Sequence, residues 1–195
     1  MRIIAGTYRS RILKSLKGLA LRPTSDRLRE TLFNVLGGAV DGSRFIDVFS
    51  GTGAVGIEAL SRGAVQAVFI ENHAPAAALI RRNLESLGVH SGALVLPVEA
   101  LRGLEKLEAR HQPGQPRFDF AFVDPPYAAV EEGLQVLRFL GKVSFLAPGA
   151  VVVAEHRRTL ELPEQIGNLR GVRVLRQGDA SLTFYRAEPN SASSE

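Results

Sequence analysis

The sequence predicts a doubly wound α/β fold built on a mostly parallel sheet. Three observations carry that expectation. Residues 45–60 (FIDVFSGTGAVGIEAL) read as a buried strand, a glycine-rich turn and the first turns of a helix. Strand-like and helix-like stretches then alternate up to residue 155, the pattern of right-handed strand–helix–strand units. Two final strand-like stretches flank Gln177-Gly178-Asp179-Ala180 and read as an antiparallel hairpin at or near an edge.

The elements follow in order. Residues 2–5 and 10–13 are expected to pair around Gly6-Thr7-Tyr8 as a small β-hairpin extension. A helix opens near Asp26, with Thr24 or Ser25 as its N-cap. Leu28, Leu32, Val35 and Leu36 lie on its apolar face, and Gly37-Gly38 end it. Arg27 and Arg29 fall elsewhere on the wheel and are expected to point outward. Ile46, Val48 and Phe49 suit a buried strand, and a helix begun near Ala54 stops at Gly63. A second strand covers Gln66–Glu71. Pro75 opens a helix that runs to Leu87, with Gly88 as its stop. A third strand, Ala93–Leu96, precedes a helix over about Glu99–Ala109, and His111–Pro116 form a loop. Phe118–Val123 is a fourth strand and Val130–Leu140 a helix. Pro148-Gly149 turn into the strand Ala150–Glu155. The hairpin strands cover Val172–Arg176 and Ser181–Arg186. Three segments result: a basic arm over 1–22, one main domain over 23–187 and a disordered tail over 188–195.

Composition narrows the function classes. A hydrophobic content of 45% fills a complete core, no apolar run reaches membrane-spanning length, and no signal peptide is expected. The chain has no cysteine, which excludes disulfides, cysteine zinc sites and thiolate nucleophiles and fits a cytoplasmic protein. His73, His90, His111 and His156 are scattered, make no ligand pattern and are expected at the surface or at caps. Formal charge is only +4, yet residues 1–22 hold Arg2, Arg9, Arg11, Lys14, Lys17 and Arg22 and no acid. Such an arm suits a phosphate backbone, although a solvated surface hairpin would look the same.

Gly51, Gly53 and Gly56 have the G-x-G-x-x-G spacing that lets backbone and a helix N-terminus approach a ligand. Asp47, four residues before Gly51, sharpens this. A carboxylate there would repel a dinucleotide pyrophosphate and welcome a cation. S-adenosylmethionine carries a sulfonium and an ammonium group and no phosphate, so the pattern favours it over NAD. Glu71 ends the second strand, 20 residues after Gly51, and suits two ribose hydroxyls. Asn72 or His73 lies where an adenine face could rest, and Glu99-Ala100 near the adenine edge. Ligands in such sheets sit outside the carboxyl strand ends, where Asp47, Glu71, Glu99 and Asp124 all fall.

Asp124-Pro125-Pro126-Tyr127 is the most specific feature. Two prolines fix the backbone and remove two N–H donors. They leave a stiff acceptor rim, the Asp124 carboxylate and the Pro125 carbonyl, beside an aromatic ring. An exocyclic amino group on a base offers two N–H donors to such a rim, and Tyr127 can stack on the base at about 1–3 kcal/mol. Hydrogen bonds from the amino protons would draw its nitrogen toward tetrahedral geometry and aim its lone pair at a methyl donor. No metal is needed for this. Carbon-5 methylation of a pyrimidine usually needs a thiolate, which this chain lacks, so the target is a nitrogen.

At this point the chain resembles a known family. The 47–64 stretch (DVFSGTGAVGIEALSRGA) with Asp124-Pro125-Pro126-Tyr127 looks like a class I S-adenosylmethionine-dependent methyltransferase that methylates amino groups. The stretches MRIIAG, SRIL and LRPTSDRLRETLFNVL within residues 1–36 are similar to the bacterial RsmD-type enzymes. The likeness covers roughly residues 1–187. It implies a seven-stranded, Rossmann-like methyltransferase sheet and an activity that methylates the N2 amino group of one guanine (the 966-type site) in 16S ribosomal RNA. The substrate would be a partly or fully assembled small ribosomal subunit and the enzyme a monomer. Carried over by motif, cofactor contacts fall on Asp47, Phe49, Ser50, Gly51, Gly53, Glu71, Asn72, Glu99, Ala100 and Asp124. Base and catalytic contacts fall on Asp124, Pro125, Pro126 and Tyr127, and RNA contacts on Arg2, Arg9, Arg11, Arg22, Thr24, Arg27 and Arg29. The chain departs from the family at Ser10, where glycine is common, and at Glu99, where aspartate is usual. Three rivals stay open on the residues alone. They are a methyltransferase for another amino group (adenine N6, or a protein), an NAD-dependent enzyme, and a non-catalytic RNA-binding protein.

Overall fold

A computed structural model describes residues 1–15 and 25–189 of the chain. The expectations for Lys17, Arg22, Thr24 and the end of the tail lie outside the described residues. The chain forms two compact units, Met1–Ala100 and Leu101 onward.

In the first unit, helix α1 (Asp26–Leu36) is capped by Ser25, whose Oγ accepts the Leu28 N–H at 3.1 Å. Strands β1 (Arg44–Val48), β2 (Gln66–Ile70) and β3 (Ala93–Leu96) run parallel, with β2 in the middle. Helix α2 (Ala54–Ser61) follows β1, and α3 (Ala74–Ser86) follows β2 with Pro75 in its first turn. The N-terminal arm is not a laddered hairpin. One bridge, Arg2 to Ile12, is joined by the bonds Ile3 N–H to Arg11 C=O and Leu13 N–H to Met1 C=O. Part of its hold comes from burial. Ile3 and Leu13 sit in one cluster with Ile57, Phe69, Ile80 and Leu84, each such side chain contributing about 1.5–3 kcal/mol. Ser10 has φ +67°, the left-handed backbone that glycine adopts without strain.

The second unit holds α4 (Ala100–Arg110, beginning at the boundary), β4 (Phe118–Val123), α5 (Val130–Leu140), β5 (Leu146–Arg157), β6 (Gln165–Ile166), β7 (Leu169–Gln177) and β8 (Ala180–Ala187). Its strand order is β4-β5-β8-β7-β6. β4 and β5 are parallel, and every later pair is antiparallel. Pro148-Gly149 do not turn into the strand but lie inside it. The register slips between Phe118 and Phe120, and the irregularity absorbs them. The hairpin is longer than expected: Leu169 pairs with Ala187 and Gln177 with Ala180, and Leu169, Ala180 and Ala187 are all buried.

The α/β class is therefore as expected, but the described residues hold eight strands rather than seven. The extra one is the two-residue β6, too short to leave a periodic signal. Among the described residues, no helix is long and apolar enough to cross a membrane.

Candidate active site

In the first unit the glycine turn is tied down from both sides. Ser50 Oγ donates to Asp47 C=O at 2.7 Å, and Gly53 N–H donates to Ser50 C=O at 2.7 Å. Glu71 at the tip of β2 accepts Gly51 N–H on Oε2 at 2.7 Å and His73 N–H on Oε1 at 2.8 Å. Its carboxylate therefore closes the turn, and each oxygen keeps lone-pair capacity for a hydroxyl donor. Gly51 has φ +53° with open space where a Cβ would project, room for a ligand against the backbone. Gly56 plays a different part. A Cβ there would stand 2.3 Å from Phe69 Cε1, so this glycine lets α2 settle on β2. Asn72 and Glu99 are exposed, and Ala100 is buried at the start of α4.

Two expectations are corrected. Phe49 is not a strand residue: it has φ +62°, sparsely populated for a bulky side chain. Strain of that kind costs of order 1–3 kcal/mol and clusters at ligand sites. Asp47 is not an open anion. It is 2% exposed, and its Oδ2 accepts the Gly56 N–H at 2.9 Å. Burial pushes its pKa up to about 8, the Gly56 bond opposes the rise, and the Glu71 charge adds to it. A cation arriving at this strand tip would supply the counter-charge that burial removed.

The arm is also corrected. Arg2, Arg9, Arg11 and Arg27 are exposed, but Arg29 is wholly buried. Its Nη2 donates to Arg2 C=O at 2.6 Å and to Asp26 at 3.1 Å, and its Nε lies 3.6 Å from Glu58. A side chain without exposed surface positions the arm rather than touching RNA. Glu58, also fully buried, accepts the Ile4 N–H at 2.8 Å and the Ala5 N–H at 3.0 Å and pairs with Arg62 at 2.8 Å. Ser61 and Asn83 grip the arm at Tyr8 and Lys14. Gly6 approaches so closely that a Cβ would overlap Ser61 C=O. None of these anchors was read from the sequence. The available signal was a charged residue, Glu58, inside the otherwise apolar run of α2.

In the second unit, Asp124, Pro125 and Tyr127 are half-buried and Pro126 is exposed at the end of β4. Pro126 C=O accepts the Ala129 N–H at 2.7 Å, which fixes the turn into α5. Gly133 on α5 seats the Pro125 ring: a Cβ would stand 2.7 Å from Pro125 Cγ. Pro125, Pro126 and Tyr127 line a cavity of about 240 Å³ together with Leu134, His156 and Arg157. The Arg157 guanidinium lies 4.8 Å over the Tyr127 ring. His156, expected at the surface, is buried. Its Nε2 is 2.7 Å from Thr183 Oγ1, and desolvation lowers its pKa.

A glycine turn closed by a strand-tip glutamate, together with a proline-stiffened Asp-Pro-Pro-Tyr corner on an α/β scaffold, defines a Rossmann-like methyltransferase. The family profile described as Conserved hypothetical protein 95 matches residues 1–186, and the chain belongs to that family, the RsmD group of the resemblance. It is 34% identical to Ribosomal RNA small subunit methyltransferase D of Escherichia coli (strain K12), over 99% of this chain and 93% of the relative. It is 37% identical to the protein of the same name from Haemophilus influenzae, over 80% and 78%. The solved structure of yhhF from Escherichia coli superposes with a TM-score of 0.79 at 34% identity, covering 96% of this chain and 98% of that one.

Proposed function

We propose that the protein methylates the exocyclic N2 amino group of one guanine, the 966-type site, in 16S ribosomal RNA of a partly or fully assembled small subunit. The observation that carries the reading is the Asp124–Tyr127 corner, held by the Gly133–Pro125 contact. The relatives named for ribosomal RNA and the exposed arginines of the arm support the choice of RNA.

S-adenosylmethionine, when bound, supplies an electrophilic methyl group on a sulfonium. The residues of the glycine turn fit it. Glu71 retains acceptor capacity for ribose hydroxyls, Gly51 leaves open space, and Asp47 gains from a nearby cation. At the corner, the Asp124 carboxylate and the Pro125 carbonyl accept the two amino protons, and the Tyr127 ring stacks on the purine. These two bonds would aim the nitrogen lone pair at the methyl group that the bound donor would supply. The proton the nitrogen then sheds passes to Asp124 or to water. Arg2, Arg9, Arg11 and Arg27 hold phosphates.

Methyl transfer is measured on assembled small subunits, free ribosomal RNA and duplex DNA, and the product nucleoside is mapped by mass spectrometry. N2-methylguanine at one site in ribosomal RNA is expected. Asp124→Ala should lower kcat by at least about a hundredfold while largely sparing RNA binding. Transfer only to DNA, or undiminished transfer by the variant, refutes the reading.

A further inference from the structure

Tyr127 has one feature that the corner itself does not supply, a cation on one face of its ring. The Arg157 guanidinium carbon lies 4.8 Å from the ring centroid, inside the distance at which an aromatic face attracts a cation. Both residues belong to the second unit, and both line the cavity of about 240 Å³ beside Pro125 and Pro126.

The two ends of this contact are fixed independently. Tyr127 follows two prolines that lock the backbone, and Pro126 C=O accepts the Ala129 N–H at 2.7 Å. Arg157 closes β5, paired with Ala180 of β8. Its C=O accepts the Leu160 N–H at 3.0 Å and lies 2.9 Å from His156 Nδ1. The next donor along, Arg158 N–H, bonds to Asp179 C=O at 2.8 Å. What stays adjustable is the Tyr127 side chain, two torsions on a fixed stem, and the guanidinium limits them. Arg157 is exposed and, among the described residues, in no ion pair, so no carboxylate competes with the ring for it.

A ring has two faces, and the face under Arg157 is closed to a base. A planar base can stack only on the opposite one. That choice sets the side from which its amino group meets the Asp124 carboxylate and the Pro125 carbonyl. The cation also draws π density toward itself, so the opposite face repels a base's own π cloud less.

We propose that Arg157 is a positioning residue, which holds the Tyr127 ring by one face and directs the substrate base to the other. It acts through Tyr127 and not on the reacting atoms. The inference rests on the proposed methylation of a base.

The test is the kinetics of methyl transfer to assembled small subunits by Arg157→Gln and Arg157→Lys, at low and raised salt. The glutamine variant lacks the cation and should lose about three- to tenfold in kcat, with KM for subunits within about twofold of wild type at both salts. The lysine variant still places a cation over the ring and should lose clearly less. A phosphate contact would instead raise KM and flatten its log–log salt dependence by about 0.7–0.9. In NMR spectra of the wild-type protein, the Arg157 side-chain protons should show a ring-current shift that Tyr127→Leu removes. A wild-type melting temperature certifies the fold of each variant. Wild-type kcat in the glutamine variant, equal losses in the glutamine and lysine variants, a loss confined to KM, or no ring-current shift overturns the inference. Wild-type protein that transfers no methyl group to ribosomal RNA overturns the proposed function, and the inference with it.

Discussion

Glu58 is the side chain on which the arm's placement depends, and its removal gives the sharpest test of the fold. Its carboxylate is fully buried. It faces the Nε of an equally buried Arg29 at 3.6 Å, takes the amides of Ile4 and Ala5, and pairs with Arg62. Glu58→Ala takes away the buried carboxylate facing Arg29 and leaves that cation only the half-exposed Asp26 as counter-charge, and breaking a buried pair typically costs about 3–5 kcal/mol. The two arm amides escape most of their own penalty by detaching into water, so about 4 kcal/mol is a fair total. For a chain of this size that lowers Tm by roughly 8–16 °C. Amide hydrogen exchange should quicken at Ile4 and Ala5 well before the core. Replacing Glu58 and Arg29 together with methionine should recover much of the loss, because no charge is then stranded. A single variant that loses less than about 1 kcal/mol, with exchange at Ile4 and Ala5 unchanged, would show that the arm is held by its apolar anchors Ile3 and Leu13 alone.

Other expectations follow from single observations. Asp47 has a folded pKa of about 8, against about 3.9 unfolded, so the folded state binds the extra proton in between. Stability should fall as pH rises from about 4 to about 8, and Asp47→Asn should flatten that slope in urea midpoints; a wild-type slope in the variant removes Asp47 as its source. A cation at this strand tip should expel that proton, so calorimetry in buffers of different ionisation heat should show proton release on S-adenosylmethionine binding at pH 7; none at all separates Asp47 from the donor's charge. Gly133→Ala places a methyl 2.7 Å from Pro125 Cγ. It should reduce kcat by roughly tenfold or more, with S-adenosylhomocysteine affinity kept; an unchanged kcat means that the corner does not need this seat.

The sequence by itself determined the local elements and the chemistry of the motifs. β3, β4 and α5 lie where their periodicity and flanking residues place them, and Ser25 caps α1 as a short polar side chain should. Period, glycine spacing and proline stiffness are properties of neighbouring residues, so they are legible without a fold. Tertiary structure decided which polar groups were buried. Arg29 reads as an outward-pointing charge until the arm covers it, His156 as a surface or cap residue until β8 supplies Thr183, and Asp47 as a charged carboxylate until burial raises its pKa. The site divides the same way. Glu71 and the Asp-Pro-Pro-Tyr corner were visible as strand tips. Phe49's positive φ, the Gly133 seat and the Arg157 cation over Tyr127 were not. Each of these depends on what a distant segment brings within a few ångströms, and burial, which sets the cost of a charge, belongs to the packed chain rather than to any stretch of it.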